Sequence, residues 1–176
     1  QKVVRESVSN DSFKFRDSRK MFVAGVPAIV NRISFTGELG YEIYVAPHFQ
    51  LKLYEELTKA GKEFNIKPFG GRALMSMRLE KNWGAWTLDY RPDFTAKETG
   101  LDAFINWNKD FIGKDSAQKD ESKNKLVPLI VETNDIDVTY NEAVLKGDKS
   151  IGYITSGGFA HFVNKSVAFS YVDQNE

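Results

Sequence analysis

The stretch that most restricts the fold covers residues 36–60, where a glycine-bracketed turn gives way to strict alternation and then to helical spacing. Residues 41–46 alternate, with Tyr41, Ile43 and Val45 on one face and Glu42 and Tyr44 on the other, which predicts a strand with one buried side. Phe49, Leu53, Leu57 and Ala60 then recur at helical spacing among good helix formers, and Gly61 supplies a stop. A chain that changes period so abruptly lays a helix on a sheet. Upstream, residues 21–24 and 28–35 read as two further strands around Gly25-Val26-Pro27, and Ala73, Leu74 and Met77 share one face of a second helix over residues 72–81. The expected product is α+β, a small antiparallel sheet with covering helices.

At 41% hydrophobic and 13% aromatic, 176 residues suffice for a real core in one domain or two small ones. Residues 1–19 form a polar lead-in with few core candidates, residues 20–114 the α+β portion, and residues 115–124 a Lys/Asp/Glu/Ser-rich linker or helix. Residues 125–176 read as a β domain, with β-branched or aromatic runs at 126–132, 143–146, 150–155 and 166–172. So few strands do not close a comfortable barrel, so this domain is expected to be incomplete and to continue beyond Glu176. The chain lacks an initial Met and is expected to come from something longer.

A formal net charge of zero removes the footprint of a nucleic-acid or anionic-membrane partner, and neither is expected. The absence of cysteine excludes a disulfide framework, a thiolate nucleophile and a cysteine metal site, which leaves the cytoplasm as the default compartment. No apolar run reaches the roughly 20 residues of a membrane span, and the first residues do not read as a signal peptide.

Among residues that could carry chemistry, Glu42 stands beside a phenol on the polar face of the third strand. A carboxylate fixed there can accept two parallel N–H bonds from a planar heterocycle; the plainer reading is a surface glutamate. Glu38, between Gly37 and Gly40, suits turn hydrogen bonding, and Arg78 and Glu80 read as an ordinary solvated helix pair. Trp83 and Trp86 either stack on a flat ligand or plug the core beneath Pro92 and Phe94, with core expected for at least one. The segment Thr155-Ser156-Gly157-Gly158-Phe159-Ala160-His161 reads as a Gly-rich strand connection and lacks the ending of a phosphate loop. His48 and His161 have no spaced ligand set, so no metal site is expected, and no Ser/His/Asp constellation emerges.

Six stretches in order resemble the folate-binding T-protein superfamily, over roughly residues 20–173. They are Thr36-Gly37-Glu38 through Glu42, Arg78-Leu79-Glu80-Lys81, Trp86 with Asp89, Glu98-Thr99-Gly100-Leu101, Lys109-Asp110-Phe111-Ile112-Gly113-Lys114 and Thr155-Ser156-Gly157. The superfamily includes the glycine cleavage aminomethyltransferase and the C-terminal halves of dimethylglycine and sarcosine dehydrogenases. Leu74 stands where the glycine cleavage enzymes place a folate-contacting arginine, while Trp83, Trp86 and the 157–161 run look more like the dehydrogenase branch.

The resemblance implies part of a ferredoxin-like half followed by a small β-barrel domain. It also implies tetrahydrofolate as cofactor, with Glu42 contacting the pterin and Tyr44 and Trp86 lining the pocket, and one-carbon transfer from an amine donor. The catalytic acid and part of the pterin pocket are expected upstream of this chain, in the other half of the same polypeptide, so that the isolated chain is expected to be inactive or to bind weakly. FAD enters only if a separate flavin domain precedes it. The rival is a non-catalytic folate-binding or interaction domain of the same superfamily; the iron-sulfur assembly members carry a Lys-Gly-Cys motif where this chain has Lys109-Asp110-Phe111, and it has no cysteine.

Overall fold

The computed structural model describes residues 2–175, and the chain folds α+β as expected. In its first unit, which extends to Leu74, β1 (Ser18–Val23), β2 (Val26–Asn31) and β3 (Glu42–Tyr44) form an antiparallel sheet in that order. Ala24 and Gly25 join β1 to β2 with positive φ at both positions (52° and 76°), the two-residue turn whose twist suits a hairpin. The turn therefore precedes the expected Gly25-Val26-Pro27, and Pro27 lies within β2 opposite Phe22. β3 pairs only with Ile29, Val30 and Asn31, so no ladder bond on that side calls for the N–H that Pro27 lacks.

The sheet has one dry face. Met21, Val23, Ala28 and Val30 are buried with Phe13 and with Leu53 of α1 (Gln50–Gly61), while Tyr41, Ile43, Val45 and Leu57 pack around them. The lead-in is thus more than polar: Phe13 is fully buried, its ring sits 5.8 Å from that of Tyr41, and Val3, Val4 and Val8 pack on the same core. Burying a phenyl ring contributes roughly 1.5–3 kcal/mol, enough to fasten such a segment. The opposite face carries Lys20, Phe22, Ile29 and Tyr44, all exposed, and half-buried Glu42 opposite Asn31.

The second unit begins at Met75, inside α2 (Gly71–Glu80). The buried residues of α2 are Arg78 and Leu79, whereas Ala73 is exposed and Leu74 and Met77 are only partly covered. The helical face read from the apolar residues is therefore not the buried one. A short α3 (Lys114–Gln118) falls in the charged segment, and β4 (Asn124–Val131), β5 (Ala143–Lys146), β6 (Lys149–Ala160) and β7 (Lys165–Asp173) form an antiparallel sheet ordered β4-β7-β6-β5.

β6 runs through the Gly-rich segment expected to be a connection. Gly157 and Gly158 pair with Ala168 and Val167 of β7, and the register shifts between Ile154 and Ser156, so that Thr155 is an extra residue in the ladder. Gly157 is required by packing, since a Cβ there would lie 2.3 Å from the Val138 carbonyl oxygen.

Candidate functional site

On β3, Glu42 and Tyr44 lie on the same face, two residues apart, because the pleat returns a side chain to one side at every second position. The Tyr44 hydroxyl donates to Glu42 Oε2. This bond and the negative charge behind it push the Tyr44 pKa upward, which keeps the phenol protonated as a donor. The carboxylate is oriented by its neighbour and keeps acceptor capacity for a ligand. Beside Tyr44 the outward face forms an open hollow of about 630 Å³, with Lys20, Phe22, Pro27 and Ile29 in its lining.

Within the second unit, Arg78 and Asp89 are fully buried and ion-paired, Nη1 to Oδ2 at 2.6 Å. Arg78 is therefore not a solvated helix charge, and its companion Glu80 accepts the Phe162 backbone N–H at 2.6 Å. Asp89 Oδ2 also accepts the Ala85 N–H at 2.8 Å, while Oδ1 accepts the hydroxyls of Thr155 and Ser156, the latter at 2.5 Å. Consecutive strand residues normally face opposite ways; the bulge in β6 lets two adjacent hydroxyls reach one oxygen. The Asp89 backbone carbonyl accepts the Tyr171 hydroxyl at 2.7 Å, and the Tyr171 ring stacks on Phe94.

Burial lowers the Arg78 pKa, and the Asp89 charge opposes that shift. Burial raises the pKa of Tyr171 and of Tyr90, so both stay protonated through the neutral range. The Arg78 Nε and Nη2 atoms are buried without a hydrogen-bond partner, although the guanidinium lies 5.5 Å from the centre of the Phe169 ring.

This cluster braces residues 83–90. Arg78 Nη1 donates to the Trp83 carbonyl at 3.1 Å, and the Tyr90 hydroxyl accepts the Gly84 N–H at 3.0 Å. Trp86 is 74% exposed, with its ring edge-on to Tyr90, and Trp83 is 41% exposed. Neither indole is the buried plug expected for at least one of them.

Glu42 and Tyr44 thus stand together on β3, and Trp86 belongs to the second unit. His48 and His161 pack against Phe49 and Phe159, and among the described residues no cluster of His, Asp or Glu is arranged to hold a metal ion. Sequence reasoning missed the convergence of Arg78, Asp89, Thr155 and Ser156, for which residue spacing offers no signal. It also missed a legible feature, the Thr-x-x-Glu capping box of Thr95 and Glu98. Each side chain bonds the other's backbone N–H, and Glu98 additionally accepts from the Asn124 backbone and side chain, which ties the turn to the start of β4.

The family model described as the GCVT N-terminal domain matches residues 1–109, and that described as the glycine cleavage T-protein C-terminal barrel domain matches residues 124–176. Dimethylglycine dehydrogenase, mitochondrial, of Homo sapiens is 38% identical over 98% of this chain, which covers 20% of that protein. An aminomethyltransferase of Caldanaerobacter subterraneus subsp. tengcongensis is 33% identical, again over 98% of this chain and 47% of the relative. The chain therefore spans from a fifth to just under half of these relatives. The crystal structure of glycine cleavage system aminomethyltransferase T from Bartonella henselae superposes with a TM-score of 0.73 at 26% identity, covering 83% of this chain and 42% of that one. With the two models matched in order along its length, the chain belongs to the glycine cleavage T-protein family.

Proposed function

We propose that this chain is the folate-binding C-terminal portion of an enzyme that moves a one-carbon unit from an amine donor to tetrahydrofolate, of the aminomethyltransferase or dimethylglycine dehydrogenase type. One observation carries the reading: the glutamate at the T-protein pterin position, Glu42, stands half-buried on β3 with its carboxylate oriented by the Tyr44 hydroxyl. Its free acceptor capacity fits the amino group and ring N–H of a pterin. The human relative, 38% identical, supports the dehydrogenase branch, as does Leu74 in place of arginine.

Tetrahydrofolate, when bound, supplies the nitrogen nucleophile that takes up the one-carbon unit. Glu42 holds the heterocycle by charge-assisted hydrogen bonds, and Tyr44 fixes the rotamer from which it does so. The contribution of these residues is positioning and electrostatics. The acid that handles the reacting nitrogen, and a flavin domain where one exists, belong to the rest of the polypeptide.

Calorimetric titration of 5-formyl-tetrahydrofolate into the chain tests the reading. Saturable binding weakened at least about tenfold by Glu42→Ala is the expected result, in line with loss of a charged hydrogen-bonding partner. Binding that Glu42→Ala leaves unchanged discards Glu42 as the anchor. If neither form binds, the titration is repeated on the longer parent protein: binding there that Glu42→Ala weakens keeps the reading, with the pocket completed by the rest of the polypeptide, and no binding there supports the rival interaction-domain reading.

A further inference from the structure

The outward face of the first sheet carries opposite charges at its two edges and apolar side chains between them. Lys20 of β1, Ile29 of β2 and Tyr44 of β3 pair directly across the strands and form one row. Ser18, Asn31 and Glu42 form the next row on the same face, and Phe22 with Pro27 the row on the other side. Lys20 is the only cation in these three rows. No hydrogen bond or ion pair among the described residues engages its ammonium.

All of these residues stand on paired strands, so the fold sets the span between the two charges. With strands about 4.8 Å apart and alternate residues about 6.8 Å apart, the Cα atoms of Lys20 and Glu42 lie roughly 12 Å from each other. The open hollow of about 630 Å³ covers the middle row, lined by Lys20, Ile29 and Tyr44 together with Phe22 and Pro27. Glu6 of the lead-in is the other charged group in that lining. Such a face suits a bipolar ligand, with a hydrogen-bond-donating heterocycle at Glu42, a flat apolar middle over Ile29 and Phe22, and an anion at Lys20. A folate has this order of groups, since its pterin is followed by an aryl ring and then by a glutamate with two carboxylates.

We propose that Lys20 binds the carboxylate tail of the ligand whose heterocycle Glu42 holds, so that this one sheet face selects a pterin with an anionic tail over a pterin without one. The ligand class rests on the folate reading above; the assignment of the tail to Lys20 goes beyond it. A lysine on the edge strand β1 also deters pairing with a second sheet. That role sets no preference between ligands, whereas a tail-binding lysine acts only on ligands that carry the tail.

Calorimetry with two ligands separates the roles. One is 5-formyl-tetrahydrofolate; the other is its pteroyl amide analogue, in which a neutral carboxamide stands in place of the glutamate. Both are titrated into the chain, Lys20→Gln, Lys20→Arg and Glu42→Ala. Lys20 is exposed, so its substitution leaves the core of the unit in place. Lys20→Gln is expected to weaken 5-formyl-tetrahydrofolate about two- to fivefold, the scale of a solvent-exposed ion pair, and to leave the affinity for the amide unchanged. Lys20→Arg is expected to keep the preference for the tailed ligand, and added salt to reduce it. Equal losses for the two ligands in Lys20→Gln overturn the proposal, as does an unchanged affinity for 5-formyl-tetrahydrofolate. In either case a loss of both ligands in Glu42→Ala leaves the folate reading standing. If the chain binds neither ligand, the same comparison is made on the longer parent protein, where absence of binding overturns the folate reading and this proposal with it.

Discussion

Asp89 accepts four hydrogen bonds through its two carboxylate oxygens, from a guanidinium, a backbone N–H and two hydroxyls. Only the first donor brings a compensating charge. Arg78→Met keeps most of the buried volume but leaves a carboxylate in the interior without its partner, and is expected to destabilise the second unit by about 3–5 kcal/mol. Urea denaturation followed by tryptophan fluorescence measures this; a loss below about 1 kcal/mol would mean that the three neutral donors hold the charge by themselves. In the sequence Arg78 reads as a helix-surface charge, because its burial is decided by Thr155 and Ser156, far along the chain, and by a strand register that periodicity does not encode. Glu42 was legible, since alternation alone placed it on the face opposite Ile43, and its pairing with Tyr44 follows from the pleat.

At the level of elements, β6 departs most from what local sequence suggests. Adjacent glycines read as a connection, yet both lie in a strand whose bulge aims Thr155 and Ser156 at the same acceptor. The two glycines differ in why they are tolerated. A Cβ on Gly157 would press on the Val138 carbonyl, whereas on Gly158 it would meet only Leu79 Cδ1 at 3.7 Å. Gly157→Ala is therefore expected to cost about 1–3 kcal/mol by overpacking, while Gly158→Ala is neutral or gains up to about 1 kcal/mol from reduced chain entropy. Thermal melts of the two variants check the contrast, and equal shifts would contradict the packing account. β1 and β2 were legible as strands, but their junction was misplaced because Ala24 joins Gly25 at positive φ, a conformation that alanine rarely adopts.

Across the whole molecule, the order of elements and the α+β class follow from hydrophobic period, and the two family models confirm the resemblance carried by six short motifs. The share of the polar lead-in in the core was not legible, because Phe13 is isolated among Ser, Asn, Asp and Lys and only tertiary packing shows it to be buried. On the function proposed above, the outward face of β3 binds a pterin through Glu42. Methyl-labelled NMR during titration with 5-formyl-tetrahydrofolate tests it most directly, since Ile29 and Val30 are neighbours in β2 with opposite orientations, Ile29 exposed and paired with Tyr44, Val30 buried in the core. A large, saturable shift of the Ile29 methyls with little movement at Val30, lost in Glu42→Ala, is the expected result. A shift pattern that leaves Ile29 unmoved while the ligand binds elsewhere would contradict it.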